Sequence, residues 1–183
     1  ILEGFSNKII ERLGGEEDIT PYLNSLCDSS VLFTNFYANG DRSDKGIVSI
    51  FSGFPALPTL SIIDYPSKSQ DLPFLYQPFH ESGYNTAFYY GGDLNFANFK
   101  AYLSNQYMDD LITINDFPNE VKIQKWGVPD EFVFRRLLDD LDNTEKPFFY
   151  SLFTLSSHEP FDAPVELQKR PRGRDESSRI AYK

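Results

Sequence analysis

Two short runs, TAFYY at residues 86–90 and PFFYSLFTL at 147–155, carry no charged residue. Runs of that length, rich in aromatics, read as strands buried in a core. Before and between them lie stretches with helical punctuation. Thr20-Pro21 predicts a helix over 21–28, because Pro is favoured at the first helical position. Residues 44–52 read as a helix closed by Gly53 and Pro55, and 72–82 as one closed by Gly83. A fourth helix is expected over 95–104. Phe132, Leu137, Leu138 and Leu141 fall at helical spacing within 129–142. Further strands are expected at 1–3 (a strand end), at 31–37, where β-branched and aromatic residues alternate, and at 111–114. PALPTLSIIDYPSKSQDLP, at 55–73, reads as a surface loop. Strands alternating with helices make βαβ units around a mainly parallel sheet, an α/β fold.

At 183 residues the chain is long enough for one domain with a real core. Seventeen Phe and eleven Tyr, against one Met and one Trp, make that core aromatic. A net charge of −10 argues against general nucleic-acid binding, which needs a basic stripe. The single Cys excludes an internal disulfide framework and gives no Cys-based metal site. No run of about 20 apolar residues is present, and the opening residues do not form a signal peptide. ILEGFS at the start resembles the end of a strand, and the charged RPRGRDESSRIAYK at 170–183 carries no closing element. The expectation is therefore a single α/β domain over 1–183 that is a fragment of a larger one.

In open parallel sheets ligands bind outside the carboxyl ends of the strands. Glu3 ends the first expected strand, Ser43 follows the second, Asp93 the third and His158 the last. Glu3 is either a carboxylate for a hard or borderline divalent cation or a capping acid. Ser43 is either a nucleophile or an N-cap, and DRSDKG around it is charged for a simple cap. Arg42 and Lys45 flank it as cations suited to an anionic group. No Gly-x-Ser-x-Gly elbow surrounds it, so an α/β-hydrolase triad is disfavoured. His158 is a candidate for binding a phosphate oxygen or a metal, or a loop His bonded to backbone. Gly91-Gly92-Asp93, with Asn98 nearby, forms a Gly-permitted turn at the edge of the expected cleft. Trp126-Gly127 reads as core or as a ligand platform, Trp being more often core.

LEGFS (2–6), TPYLNSL (20–26), FTNFYANGDRSDKGIVSIFSGFP (33–55), GYNTAFYYGGDLNF (83–96), WGVPDEFVF (126–134) and PFFYSLFTLSSHEPF (147–161) occur in one order over most of the chain. Together they resemble the sulfatase-like branch of the alkaline phosphatase superfamily, and within it the lipoteichoic acid synthase and phosphoglycerol transferase group. The resemblance implies an alkaline-phosphatase-like three-layer sandwich, incomplete here. It implies that Glu3 is the first metal-binding acid, that Ser43 is nucleophile and metal ligand where the transferases usually carry Thr, and that His158 lies on the substrate side. The substrate-binding region corresponds to 93–100. The family's usual Trp and Arg are not evident there, and Asn98 and Lys100 stand roughly in their place.

Two departures shape the implied chemistry. Sulfatases carry a Cys/Ser-x-Pro-x-Arg motif converted to formylglycine, but Ser43 is followed by Asp44-Lys45-Gly46-Ile47. The family also completes its metal site with an Asp-His pair, and no Asp-His dipeptide occurs in this sequence. The expectation is a metal-dependent (Mn²⁺, Mg²⁺ or Zn²⁺) transferase or hydrolase of phosphate esters. Its substrate would be phospholipid-derived or a glycan. The alternatives are a sulfuric ester hydrolase and a catalytically silent envelope interaction module. The resemblance further implies a bacterial cell-envelope protein on the extracytoplasmic face, held to the membrane through segments outside this chain.

Overall fold

The computed structural model describes residues 1–104 and 107–161. The charged stretch at 170–183 lies outside the described residues. Helices α1 (Pro21–Cys27), α2 (Ser43–Ser52), α3 (Pro66–Ser69) and α4 (Tyr76–Glu81) precede strand β1 (Asn85–Tyr90). Then follow α5 (Phe99–Leu103), β2 (Asp110–Ile112), α6 (Asp130–Asp142) and β3 (Phe148–Phe153). The strands form one sheet in the order β2-β1-β3, with both pairings parallel. Ala87 of β1 stands opposite Asp110 on one side and Tyr150 on the other.

Successive side chains of a strand point to opposite faces, and β1 is buried on both. Phe88 and Tyr90 join a cluster with Ile47, Val48 and Phe51 of α2 and with Tyr76, Phe99 and Tyr102. Ala87 and Tyr89 join a second cluster with Ile112, Val128, Leu152 and, from α6, Val133. Helices thus cover both faces of the sheet, giving three layers. Aromatic edges set much of the packing on the α2 side. Phe51 meets the rings of Tyr76 at 5.3 Å and Phe88 at 5.8 Å, both edge-on. Phe79 and Phe149 stack at 4.0 Å. The Tyr102 hydroxyl lies 2.6 Å from Ser52 Oγ, tying α5 to the end of α2, and burial pushes its pKa up to about 12.

Several elements differ from the sequence expectation, the 55–73 surface loop among them, which holds α3 and the buried Ile63. Residues 1–3 run beside β3: the Ile1 nitrogen donates to Leu152 O (2.7 Å) and Thr154 N donates to Ile1 O (3.0 Å). The pairing is too short to count as a strand. No strand forms over 31–37. Phe33, Phe36 and Tyr37 are 72%, 83% and 82% exposed, and no described strand pairs with them, so β-propensity alone does not order this segment. The helix expected over 95–104 breaks at Ala97 and Asn98, which take positive φ (50° and 58°), and only Phe99–Leu103 is α-helical.

Candidate active site

Ser43 is the first residue of α2, and the N-cap is Arg42, whose backbone is extended. The Ser43 hydroxyl donates to Glu3 Oε2 at 2.8 Å. Glu3 is held in turn by the segment that leaves β3. Its N–H donates to Thr154 Oγ1 (2.8 Å), and its carbonyl accepts from Ser157 Oγ. The carboxylate thus reaches the helix start from an anchored backbone.

Glu3, Asp41, Arg42, Ser43, Asp93 and His158 line one cleft of about 870 Å³. Tyr90, Phe96, Phe99, Phe153 and Trp126 supply aromatic walls, and Lys122 and Lys125 add cations. His158 N–H donates to Leu155 O (2.9 Å), which curls the loop back after β3. Its Nδ1 lies 2.8 Å from Glu159 O. A carbonyl only accepts, so Nδ1 carries the proton, and in the neutral ring Nε2 is an acceptor. Asp93 Oδ1 accepts from the N–H and side-chain amide of Asn95, each at 2.8 Å. Tyr90 stacks on Phe153 at 5.2 Å. Burial first, then the charges of Glu3, Asp130 and Asp93, raise the pKa of Tyr90, so its hydroxyl stays protonated.

Other residues singled out in the sequence lie outside the cleft lining. Lys45 Nζ turns to Asp41 Oδ1 (3.0 Å) and Pro58 O (3.5 Å). Asn98 donates to Asp64 Oδ1 at 3.3 Å, because its positive φ turns it away. Lys100 is exposed on α5.

Lys122, Gln124, Lys125 and Trp126 enter the cleft from an irregular segment without periodicity, and sequence reasoning missed the first three. They reach it through glycine. Val128 N–H donates to Gly91 O at 2.9 Å, and a Cβ on Gly127 would lie 2.1 Å from Gly91 O. Reciprocal backbone bonds of 3.1 Å between Gln124 and Gly127 close the turn. Trp126 Nε1 donates to Glu159 O (2.7 Å), and its ring meets His158 at 5.2 Å and Phe96 at 6.2 Å. Asp130, at the start of α6, fastens the β3 exit loop. Its two carboxylate oxygens accept from Leu155 N (2.7 Å) and Ser156 N (2.9 Å). Burial pushes its pKa above the ordinary value, against those hydrogen bonds.

Two hard oxygen donors, Glu3 Oε2 and Ser43 Oγ, sit together at a helix N-terminus. That donor chemistry suits part of a divalent-cation site. Among the described residues no group of three or more His, Cys, Asp or Glu could hold a metal ion.

The sulfatase family model matches residues 1–182. The chain belongs to the sulfatase family. A lipoteichoic acid synthase from Staphylococcus saprophyticus is 28% identical over 177 residues, covering 90% of this chain and 26% of that protein. A protein of the alkaline phosphatase superfamily from Vibrio parahaemolyticus matches with a TM-score of 0.83 and 28% identity, over 100% of this chain and 46% of that one. The C-terminal periplasmic domain of EcEptC from Escherichia coli, solved in complex with Zn, shares the fold. Its TM-score is 0.67 at 12% identity, over 100% of this chain and 54% of that one. The fold is alkaline-phosphatase-like, and this chain spans about a quarter of the curated relative and about half of the solved domains. No described helix is long and apolar enough to cross a membrane.

Proposed function

We propose that this sulfatase-family chain carries the nucleophile half of a phosphate-ester transferase of the phosphoglycerol transferase type, with Ser43 as nucleophile. The observation that carries the reading is the 2.8 Å hydrogen bond from Ser43 Oγ to Glu3 Oε2 at the start of α2. It gives a serine hydroxyl a carboxylate partner in a cleft that also holds Arg42 and His158. The missing formylglycine pattern after Ser43 favours phosphate over sulfate esters.

A divalent cation, when bound, supplies Lewis acidity and lowers the pKa of a coordinated hydroxyl. Glu3 and Ser43 are the residues of this chain that would hold it, and the remaining ligands would come from elsewhere. Ser43 Oγ forms the new bond to phosphorus as its proton passes to water, the P–O bond opposite breaks, and the departing oxygen takes up a proton from water to leave as the alcohol. The N-terminus of α2 and Arg42 offset charge on the transferring group. His158, with Nδ1 committed to Glu159 O, presents Nε2 toward a substrate hydroxyl or, when protonated, toward a phosphoryl oxygen. The serine ester then passes to an alcohol or to water. By analogy with the lipoteichoic acid synthases the donor would be phospholipid-derived and the acceptor a lipid or glycan hydroxyl. The protein would work on the extracytoplasmic face of a bacterial membrane, as part of a larger catalytic domain.

The test is Ser43→Ala in the full gene product, assayed for release of diacylglycerol from phosphatidylglycerol with Mn²⁺ present. Turnover should fall to background. Retained turnover would remove Ser43 as nucleophile.

A further inference from the structure

We propose that Gln124 is a specificity-determining residue whose side-chain amide donates a hydrogen bond to an oxygen of the phosphate-ester substrate; the inference rests on the phosphate-ester reading of the cleft. Gln124 lines that cleft and is 7% exposed. Its Nε2 is buried without a hydrogen-bond partner among the described residues. A buried amide donor left unmade is costly, and most such groups in folded proteins are paired. Gln124 lines the cleft, so the missing partner is one that a bound ligand can supply once the side chain turns to meet it.

The surrounding bonds fix which end of the amide is offered. Ser156 Oγ accepts from Asp130 N–H at 2.9 Å. Its single hydrogen is then free to be donated, and Gln124 Oε1 lies 3.3 Å away to receive it. With Oε1 engaged, the amide's remaining capacity is two N–H donors. Asp130, which also binds Leu155 N and Ser156 N, holds Ser156 in place. The next residue, Ser157, bonds the carbonyl of Glu3. Adjacent residues of one loop thus position Gln124 and the carboxylate that pairs with Ser43. A neutral donor suits a negatively charged phosphoryl oxygen or a hydroxyl of the esterified alcohol, and it offers nothing to a ligand lacking oxygen acceptors.

The test compares Gln124→Met, which removes both ends of the amide, with Gln124→Glu, which keeps the acceptor and removes the donor. Wild type and variants are titrated calorimetrically with glycerol 1-phosphate and with inorganic phosphate, in the presence of Mn²⁺. Both variants should bind glycerol 1-phosphate roughly tenfold or more weakly. A loss with both probes assigns the acceptor to a phosphoryl oxygen, and a loss with glycerol 1-phosphate alone assigns it to a hydroxyl; either upholds the donor role. In wild type, the Gln124 side-chain amide protons should shift on adding glycerol 1-phosphate by NMR, a readout that survives if a variant fails to fold. Equal affinity in Gln124→Glu, or an unmoved amide signal in wild type, overturns the inference while leaving Ser43 untouched. Full turnover in Ser43→Ala sinks the phosphate-ester mechanism and leaves the amide shift standing. No binding of glycerol 1-phosphate by wild type sinks both.

Discussion

Ser43 Oγ and Glu3 Oε2 lie 2.8 Å apart although forty positions separate them in the chain. Neither residue's own element accounts for the meeting. Glu3 is aimed by backbone bonds to Thr154 and Ser157 beyond β3, and Ser43 by the start of α2. The helix is in turn pressed on the sheet by Ile47, Val48 and Phe51. The pair is therefore a product of the tertiary fold, and its contribution to ligand binding should track the two side chains alone.

That separation gives the first prediction. Two oxygen donors are too few for tight coordination of a hard cation, so this chain should bind Mn²⁺ with a dissociation constant of about 0.1 mM or weaker. Glu3→Gln should weaken even that, while leaving the circular dichroism spectrum unchanged. Calorimetric titration decides the matter. Stoichiometric binding in the low micromolar range would show that further ligands of this chain take part.

A second prediction concerns Asp130, whose carboxylate accepts from Leu155 N and Ser156 N. Asp130→Asn turns an amide donor toward one of those N–H groups and should cost about 1–3 kcal/mol. The pH dependence has a definite sign. Burial raises the folded pKa above the unfolded value of 3.8, so the folded state holds the proton more tightly. The stability this confers is fully present below the unfolded pKa and is lost as pH rises through the folded one. The deficit of Asp130→Asn should therefore shrink as pH rises above about 4 in urea melts. A deficit that grows with pH would mean that the two N–H bonds outweigh desolvation.

Much of this arrangement is legible in the sequence because burial writes itself into composition. TAFYY and PFFYSLFTL are apolar enough to be buried strands, and they form β1 and β3 side by side. Asp93 and His158 reach the cleft by following β1 and β3, while Glu3 and Ser43 join them without the strands expected to carry them. What stays hidden depends on partners rather than on pattern. Residues 31–37 alternate like a strand, yet a strand needs a neighbour's hydrogen bonds, and Phe36 and Tyr37 instead stand exposed. Gln124 and Lys122 lie in a segment whose path is set by contact with Gly91, which no local period encodes. Asn98 was drawn toward the site by its place in the sequence, and its left-handed backbone sends it to Asp64 instead.

The third prediction tests that hidden contact. Gly127 has φ of +149° and lies so close to the β1 exit that a Cβ would meet Gly91 O at 2.1 Å and Gly91 C at 3.0 Å. Both obstacles are backbone, so no side-chain rotation relieves them. Gly127→Ala must push the 124–127 turn off Gly91 and break the Val128 N–H to Gly91 O bond. Trp126, which meets His158 and bonds Glu159 O, moves with that turn. We expect a stability loss of about 2–4 kcal/mol from strain and the lost bond together. The fluorescence of the single Trp should shift to the red as its ring leaves the cleft wall. Gly53→Ala is the control: it also carries a positive φ (62°), but nothing lies within 4 Å of its Cβ position. It should cost only the backbone strain, about 1 kcal/mol, with Trp126 emission unchanged. Equal losses and equal spectra in the two variants would show that the close approach at Gly91 does not hold the cleft wall in place.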